Sequence, residues 1–186
     1  MVNIGDSICG TNAKNKLLEL SNSVKQLKGD IVEVGVYKGG SAQILSDIFV
    51  DDDIFLFDTF EGMPETNQFD NIHVKGDFND VLYEDVVKYF SNYKNVTIYK
   101  GHFPHQNSQG LENRKFKFVH LDVDIYDSYK DCLNFFNGKM IEGGVMLFDD
   151  YSAATCGGAK IAVDEYIQQT GHELIIGGDF QSYIIF

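Results

Sequence analysis

Glu33-Val34-Gly35-Val36-Tyr37-Lys38-Gly39-Gly40-Ser41 sets a carboxylate at the head of a glycine-rich turn. Ile31, Val32, Val34 and Val36 read as a buried strand and the glycines as the tight turn that opens a helix, which is where open α/β sheets bind nucleotide-like cofactors. The spacing E-x-G-x-x-x-G departs from the dinucleotide fingerprint G-x-G-x-x-G, because Glu33 stands where the first glycine would be. That carboxylate would repel a pyrophosphate. It would accept a cofactor carrying an amino group, a sulfonium centre and a ribose diol, and S-adenosylmethionine has all three.

Three further strand patterns also end in acid: Asp58 after Ile54 to Phe57, Asp122 after Phe116 to Leu121, and Asp149-Asp150 after Val145 to Phe148. One such aspartate is as easily a solvated strand end or a helix cap. Four acidic ends converge on one crevice, since ligands of open sheets bind outside the carboxyl ends of the strands. Asp58 is placed to accept the hydroxyls of a cofactor ribose. Asp122, Asp149 and Asp150 would crowd like charges, which calls for a compensating cation. With oxygen donors alone, Mg²⁺ is favoured over zinc, and Mn²⁺ and Ca²⁺ are alternatives. A metal so held can bind a substrate hydroxyl and lower its pKa beside the cofactor methyl. Asp124, two residues beyond Asp122, shares its strand face and is an alternative ligand or base.

The elements that must position these residues alternate short apolar runs with amphipathic ones, predicting a Rossmann-like α/β fold: a mostly parallel seven-stranded sheet with helices on both faces. A helix carrying Leu17, Leu20, Val24 and Leu27 and ending at Gly29 precedes the first strand, which runs to about Val36. Helices follow from near Ser41, across Leu82 to Phe90, across Tyr129 to Phe136 with Gly138 at C′, and across Ala162 to Ile167. Val96 to Tyr99, His172 to Ile176 and Tyr183 to Phe186 supply the remaining strands. Residues 1–186 are expected to form one domain, with 1–29 as an N-terminal helical extension. The aperiodic stretch from Glu61 to Asn71 reads as an active-site loop.

A net charge of −13 without basic runs argues against nucleic acid or an anionic membrane as partner. A small neutral or cationic acceptor suits it better. Neither a signal-peptide pattern nor a membrane-length apolar run occurs, so a cytoplasmic location is expected. Cys9, Cys132 and Cys156 are odd in number and widely spaced, and read as reduced, unpaired thiols. For Cys156 no partner base is identifiable, and His102 with His105 reads as a surface turn that no carboxylate completes. Tyr126 and Tyr151 flank the acidic motifs, as acceptor-stacking rings or as rim packing. Asp51-Asp52-Asp53 reads as a solvated turn and His120 as a packed, hydrogen-bonded strand histidine.

The glycine turn, Asp58-Thr59-Phe60-Glu61-Gly62-Met63-Pro64, Lys75-Gly76-Asp77-Phe78, Leu121-Asp122-Val123-Asp124-Ile125-Tyr126-Asp127-Ser128 and Phe148-Asp149-Asp150-Tyr151 follow one another along the chain. In order and spacing these blocks resemble the macrocin O-methyltransferase (TylF/MycF/NovP-like) family, over roughly Asp30 to Tyr166. The resemblance implies an S-adenosylmethionine- and Mg²⁺-dependent enzyme that methylates sugar hydroxyls of natural products. It implies cofactor contact by Glu33, Gly35 and Ser41, ribose binding by Asp58, and adenine contact by Asp77 with Phe78 beside it. It also implies metal binding by Asp122, Asp149 and Asp150, with Asp122 the candidate general base. His120 stands where the family often has a basic, arginine-like residue. A small-molecule hydroxyl acceptor and a possible homo-oligomer follow from the same likeness. The competing readings are a catechol-type O-methyltransferase, a nucleotide-dependent oxidoreductase and a non-catalytic binding module on the same fold.

Overall fold

A computed structural model describes residues 3–6 and 10–186. Helix α1 (Thr11–Ser23) leads into β1 (Asp30–Val34), α2 (Gly40–Ile48), β2 (Ile54–Asp58), α3 (Tyr83–Tyr89), β3 (Val96–Lys100) and β4 (Phe116–Leu121). Then come α4 (Tyr126–Phe136), β5 (Met140–Phe148), α5 (Gly157–Thr170), β6 (Ile175–Ile176) and β7 (Ser182–Ile185). All seven strands form one sheet in the order β3-β2-β1-β4-β5-β7-β6. The first five pair in parallel, and β7 and β6 run antiparallel at the far edge. The expected Rossmann-like α/β architecture is the one observed.

Strands buried on both faces read as almost continuous apolar runs. Val32, Val34, Phe55, Phe57, Leu121 and Phe148 pack under α4 and α5, against Tyr129, Leu133, Phe136 and Val163. The alternate residues Ile31, Ile54, Leu56, Phe118 and Leu147 face the other way, against Leu17 and Leu20 of α1 and Leu45 of α2. The chain leaves β1 for β2 and β3 on one side and returns to β4 on the other. This reversal opens a crevice at the carboxyl ends of β1 and β4.

The departures from the predicted elements are local. Helix α1 stops at Ser23, so Leu27 packs from a turn, and β1 stops at Val34, where Gly35 takes φ +91°. Strand β5 starts at Met140 rather than Val145, because Gly143 at φ +75° and a register shift between Phe116 and Phe118 carry pairing past a glycine pair that hides the strand pattern. The Asp51-Asp52-Asp53 turn is an anchor and not merely solvated. Asp52 accepts from Nζ of the fully buried Lys117 at 2.8 Å, and Asp53 from Arg114 at 2.9 Å. Among the described residues no helix is long and apolar enough to cross a membrane.

Candidate active site

The turn after β1 can exist only with glycine at its apex. A Cβ on Gly35 would lie 1.7 Å from the Asp122 carbonyl oxygen, so the turn passes directly against the end of β4. Asp58, at the end of β2, holds that turn in shape. Its Oδ2 accepts the backbone N–H groups of Val36 (2.9 Å) and Tyr37 (2.7 Å), and its Oδ1 accepts that of Phe60 (2.8 Å). Tyr37 and Phe60 both sit at φ 49°, a left-handed conformation that these hydrogen bonds hold in place. Above the turn lies a cleft enclosing about 970 Å³, its open mouth included, lined by Gly35, Ser41, Asp58, Met63, Phe78 and Asp122 among others. Met63, Pro64 and Phe78 come from the long connection between β2 and α3, so the stretch expected as an active-site loop lines the cleft with its first part.

At one end of this cleft stand the acidic strand ends. Asp122, Asp149 and Asp150 each present an oxygen within 4.8 Å of the others. Burial pushes the Asp122 carboxyl well above the usual range and the charges of Asp149 and Asp150 add to this, with His120 opposing. Burial and the charges of Asp124 and Asp149 do the same to Asp150. Fixed donors aim the group: Gln181 Nε2 gives Asp149 Oδ1 a hydrogen bond at 2.6 Å, and the Asp124 backbone N–H gives Asp150 Oδ2 one at 3.0 Å. The Tyr129 hydroxyl lies 2.9 Å from the same Asp150 oxygen. Three converging carboxylates, two of them held well above the usual pKa range partly by one another's charge, with no nitrogen or sulfur in the set, fit a hard divalent cation such as Mg²⁺.

Glu33 has a different position from the one its motif suggests. It is fully buried and does not line the cleft. Because Val32 and Val34 face α4 and α5, Glu33 faces α1 and α2. Its Oε1 lies 2.8 Å from Nδ1 of the buried His120, whose Nε2 lies 3.3 Å from Asp149 Oδ1. Burial opposes charge on His120, but the hydrogen bonds to Asp149 and Glu33 outweigh it and hold the imidazole pKa well above its ordinary value. His120 is thus the packed, hydrogen-bonded histidine its strand position suggests. It ties Glu33 to the acidic group, a link set by the β1–β4 register that pairs Glu33 with His120.

Asp77 also stays out of the cleft lining: its Oδ2 accepts the Val74 N–H at 3.1 Å and lies 3.4 Å from His73 Nδ1. Phe78 beside it does line the cleft, at φ 62° and edge-on to Tyr37. Tyr126 and Tyr151 hydrogen-bond to Glu165 and Asp164 of α5. Cys132 and Cys156 are free and buried, whereas Cys9 lies outside the described residues. Two groupings escape the sequence. Asp131 of α4 completes a set with His102 and His105, lying 2.8 Å from His105 Nε2. His73, Asp124 and Cys156 come together although far apart in the chain. No spacing rule signals either, because each depends on where a loop lands.

The macrocin-O-methyltransferase (TylF) family model matches residues 3–176. The chain belongs to that family. Two curated relatives within reach of this macrocin O-methyltransferase family member come from Streptomyces. It is 27% identical over 154 residues to the 8-demethyl-8-(2,3-dimethoxy-alpha-L-rhamnosyl)-tetracenomycin-C 4′-O-methyltransferase of Streptomyces olivaceus. It is 28% identical over 153 residues to the demethyldecarbamoylnovobiocin O-methyltransferase of Streptomyces niveus. Each match takes in 74% of this chain but 58% of the relative, so the chain spans a little over half the length of the relatives it matches. Among solved structures, the O-methyltransferase NovP superposes with a TM-score of 0.82 at 25% identity, covering 96% of this chain and 81% of NovP. The family fold and the observed sheet are the same.

Proposed function

We propose that this chain is an S-adenosylmethionine- and Mg²⁺-dependent O-methyltransferase that acts on a hydroxyl of a sugar or a sugar-containing small molecule. The observation that carries the reading is the double position of Asp122, which lines the cleft above the glycine turn and belongs to the acidic group. One residue thereby sets the cofactor and the acceptor side by side. The relative named as a methyltransferase of a rhamnosyl-tetracenomycin supports the choice of a sugar-bearing acceptor.

In this reading Gly35 and Ser41 let the backbone approach the cofactor, and Asp58, while it holds the turn, offers a ribose hydroxyl the Oδ1 acceptor site that the Thr59 hydroxyl occupies at only 3.4 Å. Phe78 offers a face to the adenine. Glu33 and Asp77 act from behind, Glu33 through His120 and Asp77 through its own loop. Asp122, Asp149 and Asp150 would hold Mg²⁺. When bound, S-adenosylmethionine supplies an electrophilic methyl group, and Mg²⁺ lowers the pKa of the acceptor hydroxyl. Asp122 would take the acceptor's proton, leaving the hydroxyl oxygen as the nucleophile that faces the methyl group. Proximity and alignment inside the cleft supply much of the acceleration, about 7–11 kcal/mol in favourable cases.

Asp122→Asn tests this reading. S-adenosylmethionine affinity measured by calorimetry should stay near that of the wild type, while transfer of labelled methyl groups is lost. Undiminished turnover in the variant overturns the assignment of Asp122.

A further inference from the structure

We infer that His73, Asp124 and Cys156 form a second cation site, distinct from the oxygen-only group, that takes a thiophilic divalent ion of the Zn²⁺ class. The three ligands come from the β2–α3 connection, the turn after β4 and the residue preceding α5. Cys156 Sγ lies 3.5 Å from His73 Nε2 and 3.4 Å from Asp124 Oδ1, and the last two atoms lie 3.7 Å apart. An N···O separation of 3.7 Å is too long for a hydrogen bond. It is close to the spacing of ligands around zinc: with Zn–S near 2.3 Å and Zn–N or Zn–O near 2.0–2.1 Å, tetrahedral donors stand roughly 3.3–3.6 Å apart.

The surroundings orient the donors as they do around bound metals. His73 turns its other ring nitrogen toward Asp77 Oδ2 at 3.4 Å, a carboxylate–histidine arrangement that leaves Nε2 facing Asp124 and Cys156. Asp124 is fixed by its own N–H to Asp150 and adopts φ 57°, an unusual conformation for a residue with a side chain. Cys156 is 3% exposed, with the Thr155 hydroxyl 3.4 Å from its sulfur. The His73 and Asp124 side chains keep 12% and 20% exposure, which leaves an approach for the ion and room for a fourth ligand from solvent. A thiolate in the set selects a borderline-soft ion and disfavours Mg²⁺. The two sites therefore differ in the metal they prefer, although Cys156 Sγ lies only 3.9 Å from Asp150 Oδ1. An ion here would staple the β2–α3 connection to the rim of the cleft, joining His73 to the sheet edge and to α5.

Co²⁺ titration of the folded protein in excess Mg²⁺ tests the inference independently of activity, the Mg²⁺ occupying the oxygen-only group. The expected result is one equivalent of tightly bound Co²⁺ with thiolate-to-cobalt charge-transfer absorption, displaced by Zn²⁺. Cys156→Ser should abolish the charge-transfer band, and His73→Asn, a change in a loop, should weaken Co²⁺ binding at least tenfold. Absence of the band in wild-type protein overturns the site. So does a band that survives in Cys156→Ser, or an affinity unaltered in His73→Asn. Absence of methyl transfer from the Co²⁺-free, Mg²⁺-loaded protein, with the cobalt band still formed on titration, would overturn the proposed activity while supporting this site.

Discussion

Asp122→Asn should make the cation-free protein more stable, although it removes a charged residue from the centre of the site. Asp122, Asp149 and Asp150 approach within 4.8 Å, a separation at which two unit charges repel by about 3.5 kcal/mol at an effective dielectric constant near 20. Asp122 faces two such charges. Retained protons and the neighbouring His120 relieve most of this, leaving on the order of 1–3 kcal/mol to be recovered when the charge is deleted without change of shape. For a chain of this size each kcal/mol shifts the melting temperature by about 2–4 °C, so the variant should melt roughly 2–12 °C above the wild type in low-salt buffer with chelator. Mg²⁺ at about a hundred times its dissociation constant should then stabilise the wild type by about 2.7 kcal/mol and the variant far less.

The pH dependence has a definite sign. A carboxyl whose folded pKa is raised above 3.8 binds more protons folded than unfolded, so stability without cation falls as pH rises from near that value through the folded pKa. His120, raised above 6.5, contributes stability that is complete below that pH and lost as pH rises through its folded pKa, in the same direction. The Mg²⁺-induced shift should therefore grow with pH. Calorimetric melts that place Asp122→Asn below the wild type in chelator, or that show equal Mg²⁺ stabilisation of both proteins, would refute the reasoning.

Gly35→Ala forces a side chain into a left-handed turn, at about 1–2 kcal/mol, and against the Asp122 carbonyl; cofactor binding should vanish, and detectable S-adenosylmethionine binding by calorimetry would show that the turn can move. Asp58→Asn weakens acceptors of three backbone N–H groups and the proposed ribose contact, so cofactor affinity should fall roughly 10–100-fold, a hydrogen bond to a charged group being worth about 1.5–3 kcal/mol; unchanged affinity contradicts its role. Lys117→Met removes an ammonium shared by Asp52 and the carbonyls of Lys25 and Leu27, and urea denaturation should report a loss of about 1–3 kcal/mol; an unshifted midpoint contradicts the anchor.

The sheet is legible in the sequence because its central strands are short apolar runs buried on both faces, and the helices because their apolar residues recur on one side. Glycine pairs defeat that signal, and Gly143-Gly144 hides the first half of β5. Strand-end acids are legible for the same reason as the strands, so Asp58, Asp122, Asp149 and Asp150 gather at one sheet edge as their positions suggest. Glu33 is the instructive exception. Its place in the motif suggests the cofactor, while the two-residue alternation of β1 turns it to the opposite face, onto His120. Cys156 and His73 are 83 residues apart, and only the path of the β2–α3 connection brings them together. Lys117 belongs to the same class, its partners being a turn and two carbonyls that no local pattern reveals.

The most direct test of the proposed activity is transfer of label from methyl-labelled S-adenosylmethionine to a panel of nucleotide-linked sugars, glycosides and catechols, with Mg²⁺ or with chelator. The account predicts label on a sugar hydroxyl only when Mg²⁺ is present. Transfer indifferent to chelation, label confined to catechols, or cofactor left unconsumed with every acceptor would contradict it.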